Sequence, residues 1–527
     1  MKPDWTLPYP SRRVPVFARN VVATSQPLAA QAGLDALRRG GNAVDAALTA
    51  AITLTVVEPC SNGIGSDAFA IIWDGDRIHG LNGSGRSPSS WTPDRFPADS
   101  AIEYGWDSIT VPGAVDAWIR LSRRFGALPF EDLFGPAIQY ASEGFHVSPT
   151  IHRSWSEAVD TYADYVGFQS AFAAAGRAPG IGERFVFPDQ ANTLRRIAES
   201  DGDAFYRGDL AKRMVEYLGS NGCAISLEDL AGHQSDWVDP VGISYAGTTL
   251  LEIPPNGQGV AALIALGILE HLDLEAYALD SADSIHYQIE ATRIGLSIAH
   301  AHVADPDHMR KRVDELLDAS LLAEYAGMIR PDATVAINTI ARSGGTVYLT
   351  TADQDGMMVS FIQSNFDGFG SGIVVPGTGI SLQNRAAGFS MVPEHPNAVA
   401  GNKRPFHTII PGFVMRDGSP LMSFGVMGGH MQAQGHVQMM VRIFTYHQNP
   451  QAASDAPRWY IDDDGDLVFE DGFDPAVIRD LTGRRGHALS REQPRFAFGG
   501  AQLICRLDDG TYCAASDHRK DGQAVGY

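Results

Sequence analysis

The amino-acid sequence predicts an α+β fold, a single domain in which helices cover two stacked sheets. Three observations predict it. The first third alternates short β runs with helices, and residues 205–330 read as mainly helical. From Thr346 onward the texture changes to runs rich in β-branched and aromatic residues, punctuated by Asp-Gly turns. No internal repeat, low-complexity tract or charged linker separates the two parts.

Residues 28–39 are amphipathic and stop at Gly40-Gly41, a natural C-cap because glycine enters the left-handed region without a Cβ clash. Asn42 can cap the next helix, Asp45 in its first turn suits the helix dipole, and Glu58-Pro59 closes it. That helix, AVDAALTAAITLTVV, is apolar nearly all round and so belongs between layers. The glycine-broken stretch SNGIGSDAFAIIW leads into a strand, and GVAALIALGILEHL and SADSIHYQIEATRIGLSIAHAHV follow as helices. Beyond Thr346 the strands are TVYLTTA, MMVSFIQS, FHTIIPGFVM and PLMSFGV, with turns at Asp355-Gly356 and Asp417-Gly418. GAQLICRL and TYCAASD form a last hairpin.

The 527 residues are 44% hydrophobic and 19% charged, ample for a sizeable core. A net charge of -22 repels phosphate backbones and anionic membranes, so neither nucleic acid nor a lipid surface is expected as a partner. An anionic substrate would need a locally basic pocket. The first twenty residues lack the apolar stretch of a secretory signal, and the longest apolar runs, 46–57 and 260–269, are too short to span a bilayer. Cys60, Cys223, Cys505 and Cys513 do not resemble a disulfide framework; Cys505 and Cys513 can face each other across the last hairpin, by default as reduced thiols. The expected location is the cytoplasm. His300, His302, His308, His430 and His436 have spacings that share no helical face and no carboxylate at a zincin spacing, so no metal site is expected. Gly368, Gly370 and Gly372 precede no helix and read as a tight turn instead of a phosphate loop.

One hairpin carries chemistry. Asp353-Gln354-Asp355-Gly356 reads as a type I turn followed by a left-handed glycine, which pairs Asp353 with Met357. Continuing that register sets Thr346 opposite Ser364, with both side chains on one face. On its own such a hydroxyl pair is more often structural than catalytic.

The surrounding motifs change that balance. GGNAVDAALTAA, TVPGAVDAW, LPFEDLFGPAIQYASEGF, the Thr346 hairpin, FGSGI, NKRPF and GVMGG occur in this order, and over most of its length the chain resembles the gamma-glutamyltransferase family of N-terminal-nucleophile hydrolases. The resemblance implies a four-layer αββα sandwich and a precursor that cuts itself before a threonine. Carried over, the cleavage site is Gly345–Thr346, the large subunit is 1–345, the small subunit is 346–527, and Thr346 is the nucleophile. A free α-amino group titrates at about 7.7–8.0 and can take the hydroxyl proton, which an internal threonine cannot arrange. Ser364 falls where the family keeps a second hydroxyl, with serine replacing threonine. Gly344-Gly345 would allow the strained backbone that self-cleavage needs. Gly428-Gly429 matches the paired glycines whose N–H groups form an oxyanion hole, and the helix expected after them would add its dipole. The implied machinery needs no cofactor and no metal. Its partners are a small-molecule amide and the two subunits themselves, and a dimer of the cleaved heterodimer stays open.

The substrate pocket departs from the family pattern. The arginine of R-E-x-A-P becomes Ser84, with Arg86 two residues later, and the aspartate of D-D-F-S becomes Gly388. Arg385 stands in the place of a substrate-contacting glutamine, and His407 and Thr408 replace two serines. Two lost charge-assisted contacts, at about 1.5–3 kcal/mol each, disfavour γ-glutamyl transfer. Losing the cation-binding aspartate while gaining arginine favours an acyl group with a carboxylate and no ammonium. The pattern is similar to the branch that contains oxamate amidohydrolase, a purine-breakdown enzyme, and glutathione hydrolase-like proteins. Arg86, Arg385, His407 and Thr408 are therefore the candidate substrate contacts, unless the arginines only complete structural ion pairs. The alternatives are a glutathione hydrolase or γ-glutamyltransferase that uses Arg86 in a shifted register, and a catalytically dead scaffold.

Overall fold

Local chemistry starts the first two helices. In the computed structural model, which describes residues 5, 12–97, 102–334, 345–491 and 498–527, helix α1 (Pro27–Arg38) has proline at its first position and the Gln26 side chain accepting from the Leu28 and Ala29 N–H groups. It ends before Gly40, at φ 93°. Helix α2 (Ala43–Val57) begins in a capping box: Asn42 Oδ1 accepts the Val44 and Asp45 N–H groups at 3.0 and 3.1 Å, and the Asp45 carboxylate accepts the Asn42 N–H at 3.0 Å. Every residue of α2 is buried, as its all-round apolar surface requires.

Among the described residues fourteen strands form two seven-stranded antiparallel sheets, beside three two-stranded ribbons. The strands are β1 (Val16–Ala18), β2 (Val21–Thr24), β3 (Asp67–Trp73), β4 (Ile78–Gly83), β5 (Asp236–Val238), β6 (Val241–Tyr245) and β7 (Thr248–Glu252). They continue as β8 (Gly345–Ala352), β9 (Met358–Phe366), β10 (Gly412–Arg416), β11 (Ser419–Met427), β12 (Gly500–Arg506), β13 (Tyr512–Ser516) and β14 (Gln523–Gly526). One sheet runs β14-β2-β8-β9-β3-β4-β5 and the other β1-β13-β12-β11-β10-β7-β6. Strands β5 to β7 lie inside the stretch read as mainly helical: G-I-S-Y and T-T-L-L-E alternate at period two around the Ala246-Gly247 turn, both residues at positive φ. The strand expected in FHTIIPGFVM begins only at Gly412, because the backbone at His407 is used to bridge Asn256 and Gln258. Cys505 and Cys513 are paired positions on β12 and β13 and both are free thiols.

Both faces of each sheet are covered, giving a four-layer αββα sandwich. Tyr348 and Ala352 of β8, Met358 and Ile362 of β9 and Phe69 and Ile71 of β3 pack between the sheets with Phe413, Ile504 and Tyr512. Their neighbours Val347, Leu349, Val359, Phe361, Ala68 and Ala70 face the opposite way and pack with α2. On the far side, Phe424, Val426 and Leu503 pack against helices α3 (Gly259–Leu269), α4 (Ala282–His302) and α5 (Met431–Met440). The sheets approach closely: a Cβ on Gly425 would lie 2.4 Å from the Tyr348 ring. Among the described residues no helix is long and apolar enough to cross a membrane. This packing brings the start of β8, the end of β9 and the end of β11 together at one end of the sandwich.

Candidate active site

The β8–β9 hairpin turns as its sequence requires. Asp353 N–H donates to Met357 O, Gly356 N–H donates to Asp353 O, and Gly356 takes φ 94°. The register runs from Ala352–Met358 to Val347–Gln363 and then shifts, so that Gly345 pairs with Phe366. Thr346 thus sits in a bulge, a device that re-aims a side chain at a strand end. The residue is 2% exposed, and its hydroxyl donates to Ser364 Oγ at 3.2 Å. Ser364 Oγ in turn donates to the carbonyl oxygen of Gly345 at 2.7 Å and accepts the Phe366 N–H at 2.8 Å. Gln432 Nε2, from α5, donates to Thr346 Oγ1 at 3.4 Å. One serine therefore joins the Thr346 hydroxyl to the carbonyl of the preceding peptide bond.

Two backbone features are specific to this corner. A Cβ on Gly345 would meet the Gly368 amide nitrogen at 2.8 Å and Cys60 O at 3.2 Å, so the bulge closes only on glycine. Phe366 takes φ 80°, a left-handed conformation that costs a bulky residue of order 1–3 kcal/mol. Gly344 lies outside the described residues. A cavity of about 200 Å³ opens on Thr346 and is also lined by Gly428, Tyr104, Tyr162 and Asp367. Gly428 and Gly429, at φ 130° and 61°, make the turn from β11 into α5. Gly429 O is held by Gln258 Nε2 at 2.9 Å.

Behind Phe366 lies a buried charged cluster. The Arg385 guanidinium stacks on the Phe366 ring at 4.5 Å and donates from Nη1 to Thr408 Oγ1 at 2.9 Å. Arg385 Nε lies 4.0 Å from Asp67 Oδ2, which also meets His407 Nε2 at 3.1 Å. Arg385, Asp67 and His407 are all fully buried. Burial pushes the Asp67 carboxyl up to about 7 against the pull of Arg385. Burial draws Arg385 down to about 9, opposed by Asp67, so it remains a cation at neutral pH. Burial, with Arg385 beside it, holds His407 well below the usual imidazole range.

The sequence-derived candidates thus fall into two groups and an outlier. Thr346, Gly345 and Gly428 line the cavity, with Ser364 bonded to Thr346 and Gly345 and Gly429 next in the turn; Arg385, His407 and Thr408 meet behind Phe366. Arg86 belongs to neither: it donates to Asp305 Oδ2 at 2.6 Å and to Asn402 O at 3.1 Å, beside a different cavity. The structure thus places Arg86 in an ion pair away from Thr346. None of the five histidines set aside as ligands joins a metal-type cluster. The one such group among the described residues is His286, Glu290 and His487, where the two imidazoles hydrogen-bond to each other at 2.8 Å, away from the cavity at Thr346. Asp67, Phe366 and Gln432 were not anticipated. A lone carboxylate opening the apolar run DAFAIIW was a usable signal for Asp67.

The comparisons with known proteins fit this geometry. A family model described as gamma-glutamyltranspeptidase matches residues 29–527. The chain belongs to the gamma-glutamyltranspeptidase family. It is 35% identical to the glutathione hydrolase-like YwrD proenzyme of Bacillus subtilis, over 97% of this chain and 99% of that one. It is 34% identical to the oxamate amidohydrolase proenzyme of Klebsiella pneumoniae, over 95% and 97% of the two chains. The crystal structure of a cephalosporin acylase from Bacillus halodurans superposes with TM-score 0.94 at 45% identity, covering 100% of this chain and 99% of that one. Within the gamma-glutamyltranspeptidase family the two departures noted in the sequence have structural counterparts. Ser84 is buried and bonded to Asn82 and Asn256, and a Cβ on Gly388 would lie 2.3 Å from the Phe406 carbonyl oxygen. Position 388 has no room for an aspartate side chain.

Proposed function

We propose that this protein is a self-activating amide hydrolase whose nucleophile is Thr346 and whose acyl substrates carry a carboxylate. The supporting observation is the relay from the Thr346 hydroxyl through Ser364 to the Gly345 carbonyl, at 3.2 and 2.7 Å. In the precursor, Thr346 Oγ1 attacks the Gly345 carbonyl carbon, which Ser364 polarises by hydrogen bonding. The C–N bond breaks, the nitrogen leaves as the α-amine of Thr346, and water hydrolyses the resulting ester to a Gly345 carboxylate. The products are chains 1–345 and 346–527. The freed amine then accepts the Oγ1 proton as the hydroxyl attacks a substrate amide. The Gly428 and Gly429 N–H groups are the donors assigned to the developing oxyanion, a contribution of order 10²–10³ in rate per donor. The amine leaves protonated, and water releases the acid from the acyl-enzyme.

Arg385 is the proposed carboxylate anchor. Gly345 pairs with Phe366, whose ring lies against Arg385, so access to the buried guanidinium requires the strand end cleaved at Gly345 to move away. The absence of room at Gly388 removes the family's ammonium contact. Oxamate and glutaryl amides fit these requirements, and the likeness to oxamate amidohydrolase and to a cephalosporin acylase supports acyl transfer to water from such amides. The test is kcat/KM of purified enzyme on oxamate, glutaryl and γ-glutamyl amides. The carboxylate amides should lead, and Arg385→Ala should cost them roughly ten- to a hundredfold. A wide lead for glutathione contradicts the substrate assignment.

A further inference from the structure

Asp67 takes no part in the steps above, yet its place is closely built. Oδ1 accepts the Gly85 and Gly113 N–H groups at 3.3 and 3.1 Å. Oδ2 faces His407 Nε2 at 3.1 Å and Arg385 Nε at 4.0 Å. Ile409 N–H donates to His407 Nδ1 at 3.4 Å, which assigns the imidazole proton to Nε2 and makes Asp67 its acceptor. Arg385 is only half satisfied: Nε and Nη2 are buried and reach no hydrogen-bond partner among the described residues. Two open donors on one planar cation suit the two oxygens of a carboxylate.

Charge accounting then sets a condition on binding. Above about pH 7 the cluster without ligand holds one cation, Arg385, and one anion, Asp67, beside a neutral His407. A bound carboxylate adds a second anion to a fully buried site, which is costly unless a proton enters too. We infer that Asp67 is a specificity-determining residue whose pairing with His407 takes up one proton from solvent when an acyl carboxylate binds Arg385. This rests on the assignment of Arg385 as the carboxylate anchor. The other charged or titratable groups facing Asp67 are Arg404, held by Asp236, and His233 and Tyr206 beyond Gly113.

The sign follows from the free cluster. Burial, opposed first by Arg385, leaves Asp67 titrating at about 7, and a neighbouring anion raises it further. Below pH 7 the proton is already present and carboxylate binding is pH-independent. Above pH 7 it must be taken up, so preference for the carboxylate falls up to tenfold per pH unit.

The experiment compares glutaryl-p-nitroanilide with pentanoyl-p-nitroanilide on the cleaved enzyme from pH 6 to 9. These substrates differ only in the terminal carboxylate, so the ratio of their kcat/KM values cancels titration of the nucleophile. The ratio should be flat below pH 7 and fall about tenfold per unit above it. Asp67→Asn should make it flat throughout. Calorimetry with glutarate at pH 8, in two buffers of different ionisation enthalpy, should register proton uptake by the wild-type enzyme, which decides the matter even if the variant does not fold. A pH-flat ratio without proton uptake overturns the inference, provided Arg385→Ala abolishes the glutaryl preference. If Arg385→Ala leaves that preference intact, the anchor itself is wrong and the inference falls with it.

Discussion

Ser364 is the residue on which the relay turns. It accepts from Thr346 and from the Phe366 N–H and donates to the Gly345 carbonyl, so its single hydroxyl hydrogen is committed to the bond proposed to break. Ser364→Ala should slow self-cleavage about a hundredfold, followed as the fraction of intact chain over time, whereas Ser364→Thr, which keeps the hydroxyl, should slow it far less. Gly388→Asp should not restore an ammonium contact. Its Cβ meets the Phe406 carbonyl at 2.3 Å, so the variant should lose about 1–3 kcal/mol of stability, read as a lowered Tm, with no gain on γ-glutamyl substrates. The Thr346–Ser364 meeting was legible because both residues lie in one hairpin whose turn residues set the register. Asp67 was not, since its partner His407 is 340 positions away and no local pattern couples them. The positive φ of Phe366 likewise has no signature in a strand-forming residue.

The helices and strands show where local chemistry suffices. Helix α2 carries its own start signal: Asn42 caps it as read, and Asp45, read only as suiting the dipole, also closes a capping box. Asn42→Ala should cost about 1 kcal/mol, measured as a fall in Tm, and leave self-cleavage unchanged, because the cap lies at the far end of α2 from Cys60 and Ser61 at the cavity. Strands β8 and β9 read clearly from composition, yet the bulge at their open end did not, because it depends on Gly345 packing against Gly368 and Cys60. Strands β5 to β7 were obscured by the strong helices on either side, although their alternation was present.

At the scale of the molecule, two sheets sandwiched between helix layers hold elements from both proposed subunits in one framework: β2 and β3 of the first part flank β8 and β9 of the second. Self-cleavage at Gly345 would therefore cut the chain without dividing the fold. The net charge of -22 opposes capture of anionic amides, and screening it should help. Raising ionic strength from 0.01 to 0.15 M should increase kcat/KM for glutaryl-p-nitroanilide by about twofold and leave the pentanoyl compound unchanged. The overall class was legible because the change of texture at Thr346 is strong, whereas the layer order depends on contacts between distant segments. The central claim is that Thr346 frees itself and then works as the nucleophile. Intact-mass and N-terminal analysis of purified protein tests it most directly. Wild type should give two chains, the smaller beginning TVYLTT, and Thr346→Ala should give one inactive chain. An alanine variant that still splits at that bond, or an active wild type that never splits, would contradict the account.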